Sequence, residues 1–364
     1  MNALARTTGQ VRIVGAGLLG ASLGHVLTSL GVDVVLADAS RTALSIAVDY
    51  GAGRRAGAED APSIVIVAVP PDATAAVVLA ELAAWPTAIV TDVASVKQGI
   101  LDDLIAVGAD LQRYVGSHPM AGRERGGAIA ARADLFLGRP WVLAPSAVST
   151  PDALWAIENV AADAGAIPII MGAREHDDAV ALVSHVPQVV ASALAARLQG
   201  AVPEAIGLAG GGLRDTTRIA ESDPALWVQI LGANSGPVVD ILRGVRDDLD
   251  AAIVALENPD APGARRALAD LLAAGNAGVA SIPGKHGRSE RFTSITVLID
   301  DRPGELARLL TEIGELGVNM EDLHLEHSPS AQVGLAEISI VPEAEADLIA
   351  ALVERGWRIA GGAE

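Results

Sequence analysis

A short β-branched run, Val11-Arg12-Ile13-Val14, leads directly into Gly15-Ala16-Gly17-Leu18-Leu19-Gly20 and then into an apolar helical stretch. That order of strand, glycine turn and helix restricts the fold more than anything else in the chain. Gly15 permits the tight turn, Gly17 lets backbone approach a pyrophosphate, and Gly20 lets the helix pack on the strand. The backbone N–H groups of Leu18 and Leu19 then open the helix toward an anion. Asp38 closes the next strand, 18 residues beyond Gly20, where a carboxylate suits the ribose hydroxyls of NAD and repels the 2′-phosphate of NADP. Arg41 lies three residues on and is placed to accept such a phosphate, so NADP stays open.

The pattern around this motif implies an α/β domain. Val32–Leu36, Ile64–Val69, Ala88–Thr91, Tyr114–Gly116, Trp141–Ala144 and Ile167–Met171 read as strands without polar alternation, as buried parallel strands do. Helical patterns at 18–30, 41–49, 72–84, 96–107 and 150–164 separate them, and this alternation predicts a doubly wound parallel sheet over residues 1–172. From Arg174 onward the strands give way to Ala/Leu-rich helical stretches at 177–198, 223–255 and 261–280. This all-helical region, 173–282, must bury its apolar stripes on itself, on the first domain or on a second copy. The polar segment 281–291 reads as a linker. Residues 291–364 follow the order β-α-β-β-α-β, a ferredoxin-like module with a turn around Ser328-Pro329-Ser330.

Charge and cysteine content narrow the function. With 26 Lys+Arg against 45 Asp+Glu the net charge is −19, which excludes a nucleic-acid or anionic-membrane binder that works through a basic face. The chain has no cysteine, so disulfides, thiolate nucleophiles and Cys-based metal sites are excluded together. Met1–Gln10 is short and polar, and the run Ile64–Val69 is far below the ~20 residues of a spanning helix. A cytoplasmic protein is expected. His324 and His327 have odd spacing on a strand and point to opposite faces, so they are not read as a metal pair.

Three further segments carry chemistry. Asp92-Val93-Ala94-Ser95-Val96-Lys97 follows the fourth strand, and Gly116-Ser117-His118-Pro119-Met120-Ala121-Gly122-Arg123-Glu124 the fifth. Both lie at carboxyl ends of parallel strands, where open sheets place their ligands. His118 there can take a proton from a substrate hydroxyl, with Ser95 beside it; a plain strand-end histidine is the alternative. Ser184-His185-Val186-Pro187-Gln188 sits in the first long helix. Gly210-Gly211-Gly212-Leu213-Arg214-Asp215-Thr216-Thr217-Arg218 reads as a flexible glycine approach to two guanidinium groups suited to carboxylates. A core histidine and surface ion pairs are the bland readings of His185, Arg214 and Arg218.

These segments in this order, together with Ser222-Asp223-Pro224-Ala225-Leu226-Trp227, resemble the prephenate dehydrogenase family in its longer form with a C-terminal ACT domain. The resemblance implies oxidative decarboxylation of prephenate to 4-hydroxyphenylpyruvate in tyrosine biosynthesis. His118 would accept the C4 hydroxyl proton while hydride passes to NAD, and Ser95 would orient His118 or the hydroxyl. Arg218 would hold a substrate carboxylate with Arg214 nearby, His185 would line the pocket near the side chain, and Glu124 would gate the site. Arg123 receives no role, Trp227 packs under the pocket, and His176 reads as buried or capping. The helical region would form a homodimer.

The ACT resemblance rests on Asp300-Asp301-Arg302-Pro303-Gly304-Glu305-Leu306 and Gly317-Val318-Asn319. It implies L-tyrosine as a feedback inhibitor held at Gly304 and Asn319; a module that only supports assembly is the alternative. Other readings are an arogenate dehydrogenase and, from a different class, an NAD-binding amino-acid sensor without turnover. A β-hydroxyacid dehydrogenase needs a lysine in the helical domain, and Arg174–Ala280 has none.

Overall fold

The computed structural model describes residues 5–122, 126–282, 292–327 and 333–360. The chain divides into two compact units, Met1–Leu194 with Ile219–Gly244 and Ala195–Arg218 with Val245–Glu364.

The first unit is built on an eight-stranded sheet. Its elements run β1 (Val11–Val14), α1 (Leu18–Ser29), β2 (Val34–Ala37), α2 (Arg41–Asp49), β3 (Arg54–Arg55), β4 (Ile64–Val67) and α3 (Pro71–Ala84). They continue with β5 (Ile89–Asp92), α4 (Gln98–Ala106), β6 (Tyr114–Pro119), β7 (Pro140–Pro145), α5 (Pro151–Asp163) and β8 (Ile167–Ile170). The order is β3-β2-β1-β4-β5-β6-β7-β8, so the chain reverses direction across the sheet between β1 and β4. That reversal opens a crevice at the strand carboxyl ends. Strand β4 shows why polar alternation is missing: Ile64 and Ile66 belong to the core on one face, Val65 and Val67 to the core on the other.

The sheet is not parallel throughout. Strands β6 and β7 pair antiparallel, with His118 opposite Val142, and β7 pairs parallel with β8. Parallel neighbours need a crossover, usually a helix. Between Pro119 and Pro140 the described residues contain only a 3₁₀ turn at Ala128–Ala130, so the chain returns antiparallel. The two-residue edge strand β3 is also absent from the sequence reading; Arg54-Arg55 lacks any apolar signal.

Beyond the sheet follow α6 (Ala173–Val180), a π-turn at Ala181–His185, α7 (Val186–Ala196), α8 (Pro203–Ile206), α9 (Gly211–Thr217), α10 (Pro224–Ala233), α11 (Ser235–Glu257) and α12 (Ala264–Ala280). The expected single helix over 223–255 is two helices bent by 96° at Asn234. Pro237 lacks the N–H that would continue the ladder, which favours a break just before it. Gly211 and Gly212 are not a flexible approach; they form the first turn of α9, with Gly210 as N-cap. Ala173–Ala196, with a mean hydropathy of 1.6, is long and apolar enough to cross a membrane, a feature the reading of Ile64–Val69 passes over. Its four buried polar residues His176, Asp177, His185 and Gln188 are all hydrogen-bonded.

In the second unit β9 (Thr293–Asp300), α13 (Glu305–Glu315), β10 (Asp322–His327), β11 (Val333–Ile340), α14 (Glu345–Glu354) and β12 (Arg358–Ala360) form an antiparallel sheet in the order β10-β11-β9-β12. This is the ferredoxin-like arrangement, with Val297, Leu309, Ile313, Ile338 and Leu352 in its core. Most of the expected linker (283–291) and the Ser328-Pro329-Ser330 turn lie outside the described residues.

Candidate active site

The glycine turn sits at the crevice. Gly15 has φ +105°, and a Cβ on it would lie 2.3 Å from the Ala68 carbonyl oxygen, so conformation and space both require glycine. A Cβ on Gly20 would lie 1.9 Å from the Gly15 oxygen. At Gly17 the same test meets nothing within 4 Å, so its bare backbone faces open space, as a close-approaching ligand requires. Leu18 and Leu19 begin α1, which has no side-chain cap and no acidic residue in its first turn. Its free N–H groups and dipole are therefore available to an anion. The Asp38 carboxylate accepts from the Ala16 N–H (2.7 Å) and the Ser40 N–H (2.6 Å), which fixes it at the end of β2 beside the turn. Arg41 is exposed at the start of α2.

A buried polar network lies under the ends of β5 and β6. Lys97 is 1% exposed and its Nζ pairs with Asp92. Asp92 also accepts from the Tyr114 hydroxyl (2.7 Å) and the Ala94 N–H (2.9 Å). Burial pulls the Lys97 ammonium down against the attraction of Asp92 and Asp177, and pushes the Tyr114 hydroxyl well up. Lys97 is thus committed to Asp92 and is not a free donor for a substrate anion.

His118, half-buried on β6, is not held by Ser95. Its Nδ1 lies 2.8 Å from His176 Nε2, and His176 Nδ1 lies 2.8 Å from Asp177 Oδ1. The two Asp177 oxygens also accept the N–H groups of Lys97 and Gln98, each at 2.8 Å, at the start of α4. A carboxylate only accepts, so His176 carries a proton on Nδ1, and in the neutral ring its Nε2 is then an acceptor. His118 must then donate from Nδ1, leaving the Nε2 lone pair free to receive a proton. Burial holds the His118 pKa well below 6.5, and His176, Lys97 and His185 add to that effect. The ring is neutral at pH 7.

A π-turn brings the second histidine round. Nine positions separate His176 from His185, about two and a half turns of regular α-helix, so they would face opposite ways. The π-turn absorbs roughly one residue and rotates His185 back. Pro187, which has no N–H for the Val183 carbonyl, accounts for the loosened ladder there. His185 is 1% exposed; its Nδ1 lies 3.0 Å from Asn234 Nδ2, and Trp227 packs edge-on at 6.0 Å between ring centroids. Burial lowers its pKa to about 4.

Among the sequence candidates, the structure gathers His118 and His185 around Asp177 and adds His176, Asp177 and Asn234, none of which has a site role in the sequence reading. The His176-Asp177 dipeptide was the available signal. Ser95 is half-buried in the β5–α4 loop and its hydroxyl makes no hydrogen bond among the described residues. Glu124 lies outside the described residues. Arg214 and Arg218 belong to the second compact unit, four residues apart and exposed, without an ion pair among the described residues. Gly304, at φ +94°, N-caps α13, and the Asn319 side chain donates to Glu321 (2.9 Å).

Comparison with known proteins decides the family. Residues 23–170 match the family model "Prephenate dehydrogenase, nucleotide-binding domain", and residues 172–270 match "Prephenate dehydrogenase, dimerization domain". The chain belongs to the prephenate dehydrogenase family. It is an oxidoreductase. The chain is 35% identical, across 95% of its length and 98% of the relative's, to a Streptomyces niveus protein named probable prephenate dehydrogenase NovF. A solved prephenate dehydrogenase from A. aeolicus, in complex with hydroxyphenyl propionate and NAD+, has a TM-score of 0.65 and 27% identity over 75% of this chain and 99% of that one. Synechocystis arogenate dehydrogenase gives 0.60 and 27% over 74% of this chain and 100% of that one.

Proposed function

We propose that this enzyme oxidatively decarboxylates prephenate to 4-hydroxyphenylpyruvate, with NAD as hydride acceptor and His118 as proton acceptor. The observation that carries this reading is the His118–His176–Asp177 chain, which leaves a neutral imidazole with a bare Nε2 at the carboxyl edge of a nucleotide-binding sheet.

The cofactor is NAD. Gly15, Gly17, Leu18, Leu19, Gly20 and Asp38 would hold it, and when bound it supplies the hydride acceptor. His118 Nε2 takes the C4 hydroxyl proton as the C4 hydride departs. The His176 and Asp177 acceptors stabilise the imidazolium as it forms, without themselves needing to move. Loss of the ring carboxylate as carbon dioxide then aromatises the product. Ser95 binds the substrate hydroxyl, Arg218 and Arg214 hold a substrate carboxylate, and Glu124 gates the site. The intact proton-accepting chain favours an enzyme over a sensor that binds without turnover.

The functional division is 1–172 for the nucleotide, 173–282 for substrate and dimerisation, and 291–364 as an ACT regulatory domain. Support for the last is the ferredoxin-like topology and the left-handed Gly304 before α13; L-tyrosine is its proposed inhibitor, with Gly304 and Asn319 at the site. A homodimer in the cytoplasm completes the reading. The likeness to an arogenate dehydrogenase keeps arogenate as the second substrate to test.

The test follows NADH formation with prephenate and with arogenate separately, each with and without tyrosine. Prephenate is expected to be oxidised, and tyrosine to slow it. No reduction with either substrate would overturn the proposal, oxidation of arogenate alone would reassign the substrate, and a tyrosine-insensitive rate would remove the regulatory part.

A further inference from the structure

Asn234 occupies the break between α10 and α11, with φ −117° and ψ 32°, outside the helical region. It is 3% exposed, and its Nδ2 donates to the Asp177 backbone carbonyl at 2.7 Å. That contact fixes the amide orientation, because Oδ1 would be repelled by a carbonyl oxygen. The same Nδ2 lies 3.0 Å from His185 Nδ1. An amide NH₂ only donates, so its second hydrogen points at His185 Nδ1, which must be an unprotonated acceptor. The proton of the neutral ring is then on Nε2, and Nε2 has no partner among the described residues.

We infer that Asn234 is a positioning residue that locks His185 in the Nε2–H tautomer, so that His185 offers the substrate a neutral hydrogen-bond donor. His118, tied through His176 to Asp177, is locked in the opposite sense as an acceptor. One residue, Asp177, anchors both arms: its side chain sets His118 through His176, and its backbone carbonyl sets the Asn234 amide. The ligand group that suits His185 is an oxygen acceptor, a carboxylate or carbonyl of the substrate side chain. A donor in the same place would meet only another donor. This assignment of an oxygen acceptor rests on the proposed reaction; the tautomer does not.

The titratable groups beside His185 are Asp177, which favours its protonation, and His176, which opposes it. Burial, together with His176, outweighs Asp177, and protonating Nδ1 would in addition require evicting the Asn234 hydrogen.

The tautomer is read directly from ring ¹⁵N shifts of the ¹⁵N-histidine-labelled, ligand-free protein at pH 7, with the His185 signals assigned by their loss in His185→Gln. The expected result is a bare Nδ1 and a protonated Nε2. A protonated Nδ1, or a cationic ring, overturns the inference, and this readout is independent of whether prephenate is turned over. In Asn234→Ala the shifts should move toward a tautomer mixture. The KM for prephenate should rise about tenfold, with kcat and NAD affinity within threefold of wild type, as expected for loss of one oriented donor. Asn234→Asp can only accept from the ring, and should convert His185 to an Nδ1–H form. An unchanged tautomer in a folded Asn234→Ala protein overturns the inference. Failure of wild type to oxidise either substrate, with the tautomer as expected, would instead count against the proposed reaction.

Discussion

Without His176, the His118 Nδ1–H loses its acceptor, and the ring can turn its proton onto Nε2 and cease to act as a base. His176→Ala is expected to lower kcat about 100-fold while prephenate KM and NAD affinity stay within threefold. His118→Asn should lower kcat further, by about 10²–10⁴-fold, again with NAD binding intact. Unchanged turnover in His118→Asn would displace it as the proton acceptor, and unchanged turnover in His176→Ala would reduce that residue to packing. The pH profile supplies an independent check. As the proposed base His118 must be unprotonated, and burial together with His176, Lys97 and His185 holds its pKa well below 6.5. Activity should therefore hold as pH falls from 7 through 6.5 and decline only below that, as the depressed pKa is crossed. An acid limb centred at 6.5 or above in kcat/KM, measured with saturating NAD, would contradict the buried neutral base.

At the scale of elements, Asp177 on α6 caps α4 across a gap of 80 positions, because its carboxylate accepts the first N–H groups of that helix. Those N–H groups have no intrahelical partner. Asp177→Ala is expected to cost about 2–3 kcal/mol in urea unfolding, more than an ordinary cap, because the lost bonds are buried and charge-assisted. A loss below about 0.5 kcal/mol would mean that α4 is capped without it. This contact also shows where sequence reading stops. The turn Gly15–Gly20, the strands other than β3 and the ferredoxin-like order are legible, since local periodicity and glycine placement decide them. His118 and His185 are legible as candidates through their motifs. The arms that orient them are not, because His176, Asp177 and Asn234 meet through tertiary distance and through two departures from regular helix. Pro187 and Pro237 mark both departures in the sequence, yet neither says which side chain the loosened backbone will turn inward.

For the whole molecule, the charge of −19 has to coexist with anionic ligands. Lys97 does not help, being paired with Asp92. On the proposed reading, anion binding falls to the uncapped start of α1 and to Arg214 and Arg218, short-range donors that act within the ~8–10 Å over which salt screens the distant excess. The same charge bears on assembly. Leu249, Ile253 and Leu256 on α11 are 57%, 51% and 64% exposed and share one helical face, and Leu272 and Val279 on α12 are exposed as well. In a single chain that face would remain in water at a cost of roughly 25 cal/mol per Å². Covering it with a second copy removes the cost, and the match to a dimerization domain over 172–270 spans the whole of α11. Sedimentation at micromolar concentration should therefore give a dimer for wild type. Ile253→Glu places a carboxylate in that face on each of two already acidic chains, and should shift the species to monomer while leaving the pH 7 circular dichroism of the sheet intact. A wild-type monomer, or an Ile253→Glu protein that sediments as the wild type does, would mean that this face is covered by something other than a second copy.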